Sequence, residues 1–241
     1  MLASLYVEFS KLNRSLAALL AVAAPGLIAV FLFFNMLRGD KPPPWDQLMM
    51  SASAIWAFFM LPMSVTALTA LVAHMEHGPR SWDHLRALPV PRWRHYGAKA
   101  VVVLSVVVLM SLAVLAFSAG AAMLAGLVKP AVAPGGAFEA VAYARLLGQM
   151  FLAALLLIAV QLWVALRFSS FVPALAVGIG GTFFAVVATS ARIGVFLPWQ
   201  MPVNMLATDA WRMQTALGLG AVGGAVVFGL MLIHLTRRET L

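Results

Sequence analysis

Six stretches without a single Asp, Glu, Lys or Arg constrain this chain more than any other feature: residues 15–37, 47–75, 100–128, 146–166, 168–191 and 213–236. They run to 23, 29, 29, 21, 24 and 24 residues. A hydrocarbon core about 30 Å thick takes roughly 20 helical residues at about 1.5 Å each, so each stretch can cross once and none twice. With 10% charged residues and a mean hydropathy of +0.97, the chain cannot coat a soluble globule of 241 residues. The expected fold is an all-α integral membrane protein, residues 1–241 forming a single domain of six transmembrane helices.

Orientation follows from the basic residues. With the N terminus in the cytoplasm, that side carries Lys11, Arg14, Arg80, Arg86, Arg92, Arg94, Lys99, Arg167, Arg237 and Arg238. The other side carries Arg38, Lys41, Lys129, Arg145, Arg192 and Arg212. Positive charge is retained inside, so both termini are expected in the cytoplasm of a multi-pass membrane protein. The net charge of +8 then reflects topology and contact with anionic lipid, and nucleic acid is not expected as a partner. The absence of cysteine excludes disulfides, thiolate metal sites and cysteine nucleophiles.

Residues 1–15 place Leu5, Phe9, Leu12 and Leu16 on one helical face and Ser4, Glu8, Lys11 and Ser15 on another, which predicts an amphipathic helix on the cytoplasmic surface. Pro25-Gly26 predicts a kink in the first span, and Pro62 with the nearby hydroxyl residues predicts a second span that faces other helices. Residues 190–213 are broken by Pro198 and Pro202 and carry Trp199 and Trp211, the pattern of an outer re-entrant or interfacial helical pair. Gly218-Leu-Gly220-Ala-Val-Gly223 matches a dinucleotide fingerprint in letters alone, since no strand precedes it. Gly220 and Gly224 read instead as a smooth packing face, with a second subunit as one candidate occupant.

No lysine follows a glycine as a phosphate-binding loop requires: Ser10, Asp40, Ala98 and Val128 precede the four. Nor do the centres of the six stretches carry the ionisable residues that ion coupling uses. His74, His77 and His84 are separated by the helix-breaking Gly78-Pro79 and do not form a zinc motif. What remains is the charged island from His74 to Lys99. There Ser81 can cap a short helix ending at Leu88, Pro89 and Pro91 stop it, and Arg92-Trp-Arg-His-Tyr returns the chain to the interface.

Glu76, Trp82-Asp-His-Leu-Arg-Ala-Leu-Pro-Val-Pro-Arg92 and Lys99 resemble the acidic residue, tryptophan, Leu-Pro-x-x-Arg and trailing lysine of ABC-2 type permeases, particularly the lantibiotic-immunity and bacitracin-export-like branch. The resemblance implies a cytoplasmic coupling helix that docks into a separate ATP-binding cassette subunit through Glu76, Trp82, Asp83, Leu85, Arg86, Leu88 and Arg92. It implies two ATPases with two permeases, the second being a copy or a paralogue, and places ATP and magnesium in the partner with no cofactor or catalytic site in this chain. Export or membrane extraction of an amphipathic substrate, such as an antimicrobial peptide, is the implied activity. The rival expectation is a membrane anchor that docks a cytoplasmic partner without moving substrate.

Overall fold

The computed structural model describes residues 2–77 and 91–237, and the regular elements among them are helical. The helices are α1 (Leu2–Leu12), α2 (Leu16–Arg38), α3 (Trp45–His77), α4 (Arg92–Val128), α5 (Ala140–Arg167), α6 (Val172–Val187) and α7 (Ala210–Arg237). Five of them, α2, α3, α4, α5 and α7, are long and apolar enough to cross a membrane. The fifth charge-free stretch yields the shorter α6, 16 residues, because Pro173 sets its start and the chain tightens into 3-10 turns after Val187. The proposed coupling helix at residues 81–88, with Trp82, Asp83, Leu85, Arg86 and Leu88, lies outside the described residues.

Contacts between helices fix their directions. Trp45 at the start of α3 stacks on Phe138 before α5, and Lys129 after α4 donates to the carbonyls of Leu37 and Gly39 after α2. Backbone bonds from Trp45 to Gly135 (3.1 Å) and from Gly135 to Pro43 (3.0 Å) tie the two connections together. These groups define one end, here the distal end. The other, proximal end holds α1, the close of α3, the start of α4 and the turn after α5, where His74 meets Phe171 edge to face at 6.2 Å. Helix α7 runs parallel to α5: Gly220 lies on Ala153, Gly224 on Leu155, and the Trp163 indole donates to His234 Nδ1 at 2.9 Å. Arg212 near the start of α7 reaches the Thr189 carbonyl, so α6 leads from the proximal to the distal end.

Two helices widen to pass obstacles. In α3, Pro62 has no N–H and its ring crowds the carbonyl four residues back; the segment Trp56–Met60 adopts π-helical bonding, with the Leu61 N–H reaching Trp56 O. The turn seats the Trp56 ring fully inside the core. Pro25, by contrast, lies within α2 without ending it. In α7 a second π segment, Leu219–Gly223, spans the glycine face.

That face packs within the chain instead of awaiting a second subunit. A Cβ on Gly220 would fall 2.3 Å from the Ala153 carbonyl oxygen, and one on Gly224 would fall 2.6 Å from Leu155. Residues 190–213, expected as an outer re-entrant or interfacial helical pair, contain two short helical pieces. They form 3-10 turns at Arg192–Phe196 and Val203–Leu206 before α7 begins, because prolines at 198 and 202 deny a longer helix its hydrogen bonds. The stretch folds back onto α6, where the Trp199 ring occupies the space that a side chain at Gly181 would need.

Several polar groups inside the bundle bond to their own helix or to a neighbouring one. Thr66 and Thr69 donate to carbonyls four residues earlier in α3, and the buried Gln161 amide of α5 donates to Thr66 Oγ1 (2.8 Å) and to Ala174 O of α6 (3.3 Å). The outward faces carry bulky apolar side chains: Leu19, Val22, Val30 and Phe34 on α2, and Val222, Val226 and Ile233 on α7. The core is apolar as well, with Trp56, Leu61, Leu157 and Leu162 fully buried, and large apolar side chains on the outer faces suit lipid as solvent. Gly224→Val is expected to lower the thermal unfolding midpoint of the detergent-solubilised protein, overpacking of this kind costing about 1–3 kcal/mol. Gly229→Ala, at a site with nothing within 4 Å, should leave the midpoint unchanged in the same scan.

Candidate functional site at the proximal end

The proximal end is organised by four charged side chains from three helices. Glu8 and Lys11 stand one turn apart on α1, Glu76 is next to last in α3, and Lys99 lies two turns into α4. The Lys99 ammonium donates to Glu8 Oε2 at 2.9 Å and to Glu76 Oε1 at 3.0 Å. Lys11 donates to Glu8 Oε1 at 2.8 Å and to the same Glu76 oxygen. The four groups alternate in sign and sum to zero.

Burial makes this arrangement consequential. Lys99 is 0% exposed, Glu76 2% and Glu8 5%. A buried ion retains its charge only if a partner replaces the water it has lost, and removing that partner costs about 3–5 kcal/mol. Burial alone would lower the pKa of Lys11, yet hydrogen bonds to Glu76 and Glu8 outweigh it and raise the group above the ordinary lysine value. Its pairing energy is therefore fully present at neutral pH and is lost only as pH rises through that raised value.

The quartet changes how the sequence maps onto the surface. The polar stripe of α1 turns inward through Glu8, while Tyr6, Val7 and Phe9 are exposed and face outward from the bundle. Arg92-Trp-Arg-His-Tyr, the run expected to return the chain to the interface, forms the first turns of α4; Arg92 and Trp93 are exposed and Tyr96 is buried. Of the expected docking residues, the structure thus places two on the flanks of segment 78–90: Arg92 at the surface and Glu76 inside, bound to Lys11 and Lys99.

Sequence reasoning passed over Glu8, Lys11 and the burial of Lys99. The available signal was an acid–base pair one turn apart on an otherwise apolar N-terminal helix, together with a lysine at the edge of a long charge-free stretch. Among the described residues the site has no nucleophile poised against a base. What it can do is hold α1, α3 and α4 in fixed register around the two ends of the segment that joins α3 to α4.

A family model described as ABC-2 family transporter protein matches residues 4–189, from α1 through the turn after α6, more than half of the chain. No curated protein and no solved structure matches.

Lys99→Met should take one cation from the buried Glu8 and Glu76 carboxylates and lower the unfolding midpoint markedly, as expected when a buried ion loses a partner. Adding Glu8→Gln restores charge balance and should recover part of that loss. Equal midpoints for the single and double variants would show that the charges do not depend on one another.

Proposed function

From the premise that this chain belongs to the ABC-2 transporter family, we propose that it is the permease subunit of an ATP-driven exporter, coupled to a separate ATPase. The observation that carries this reading is the quartet, which joins α1, α3 and α4 at the two roots of segment 78–90. A push on that segment is delivered to three helices at once. The contact with the ATPase falls to Trp82, Leu85 and Leu88 as apolar anchors, with Asp83, Arg86 and Arg92 orienting them. Glu76 serves docking from inside, by fixing the end of α3 from which the segment departs.

The rest of the assembly follows the family resemblance. Two ATPases, which hold ATP and magnesium, work with two permeases, and the cargo is an amphipathic molecule of the antimicrobial-peptide kind, exported or extracted from the bilayer. The proximal end is cytoplasmic in a bacterial inner membrane. Helix α6 gives about 24 Å at 1.5 Å per residue, and the 3-10 turn Ala188–Ser190 adds about 6 Å, enough for a sixth crossing. Six crossings agree with α1 and the end of α7 lying on the same side.

Leu85→Asp is expected to abolish cargo-stimulated ATP hydrolysis and nucleotide-dependent accumulation of cargo in inverted vesicles, while the permease still inserts into the membrane. Wild-type coupling in that variant would remove Leu85 from the interface. Absence of nucleotide-dependent accumulation by the unaltered complex would leave a docking anchor in place of a transporter.

A further inference from the structure

The distal end holds a cavity that the coupling scheme does not use. It has a volume of about 350 Å³ and opens between the starts of α3 and α5, lined by Asp46, Glu139 and Tyr143 with Met50 and Leu146 among its apolar walls. Both carboxylates are exposed to it, and neither has a hydrogen-bonding or ionic partner among the described residues. Glu139 occupies the N-cap position of α5, yet its side chain makes no capping bond. Tyr143 is only 7% exposed and is held from behind by Phe138, which in turn packs on Trp45. Its hydroxyl has no hydrogen-bond partner among the described residues and is left to the cavity.

The ring is enclosed while its hydroxyl opens to the cavity, and two unpaired carboxylates beside it create a local field that favours a cation. Among the described residues no three Asp, Glu, His or Cys side chains converge as a metal ion would need. The apolar walls instead suit an organic cation with a hydrocarbon stem. No basic residue lines the cavity, although the exposed Arg145 follows Tyr143 by two residues on α5. Of the other cations at this end, Lys129 is engaged with Asp40 and the end of α2, Lys41 borders a separate cleft beside α3, Arg192 lies over the Trp211 ring and Arg212 bonds to Asn204 and Thr189.

We propose that this distal cavity binds the ammonium or guanidinium group of an amphipathic ligand. Asp46 and Glu139 neutralise the charge, Tyr143 accepts a hydrogen bond from it, and Met50 and Leu146 contact the stem. The assignment names a ligand class for the exporter and rests on that reading only for the ligand's role as cargo; binding itself requires neither ATP nor the coupling segment.

The test uses the complete permease–ATPase complex in nonionic detergent without nucleotide, titrated with a fluorescent amphipathic peptide of lysines and leucines and with its glutamate-for-lysine counterpart. The lysine peptide should bind saturably, and Asp46→Asn with Glu139→Gln should weaken it about 10-fold or more, as expected for loss of close charge pairs. Tyr143→Phe should weaken it by about 3-fold, the scale of one hydrogen bond. The charge-keeping pair Asp46→Glu with Glu139→Asp should retain most of the affinity. Unchanged binding by the neutralised variant, equal binding of the glutamate peptide, or equal loss in the charge-keeping pair would each overturn the assignment. None of these results bears on ATPase coupling, which Leu85→Asp tests separately.

Discussion

The cost of removing charge from water governs the proximal end of this protein. Lys99 is fully enclosed near the start of a helix whose later turns are largely Val, Leu and Ala, and its side chain donates to both Glu8 and Glu76. Since those carboxylates belong to α1 and α3, one buried cation sets the positions of two other helices. The second cation, Lys11, balances the count and closes the ring. Apolar contact alone could not fix this register, because lipid chains compete equally well for Leu and Val.

Away from that end, specificity is obtained by close approach and by a few hydrogen bonds. Gly220 and Gly224 let α7 lie against the backbone of α5, and Gly178 admits Thr66 and Gln161 against α6. The π turn before Pro62 and the one at Leu219–Gly223 adjust the faces that must meet. At the distal end, Lys129 and the Trp45–Gly135 backbone bond hold the connections together. A bundle fastened at both ends and closely packed between them transmits displacement in preference to absorbing it.

Much of this was legible in the sequence, because the absence of charge over twenty or more residues has one inexpensive physical solution, the membrane helix. The positions of α2, α3, α5 and α7 follow from that rule. The spans that departed from it did so for local reasons. Pro173 and the 3-10 turns shorten α6, and Arg92 to Lys99 join α4 because they continue its helix once their charges find partners or solvent. The quartet was the least legible feature. Glu8, Glu76 and Lys99 are distant in sequence, and a charge at the edge of an apolar stretch reads equally well as an interfacial residue. Segment 78–90 stays where the sequence left it, as the expected seat of Trp82, Leu85 and Leu88.

The central claim is that α1, α3 and α4 respond as one body when the ATPase acts on the segment between α3 and α4. The chain contains no cysteine, so spin labels can be introduced in pairs without background. Tyr6 on α1 and Trp93 on α4 are both exposed and suited to labelling. Electron–electron distances between them should be the same in nucleotide-free and ATP-trapped complexes, while distances between the two permeases change. A nucleotide-dependent separation of α1 from α4 would contradict the account.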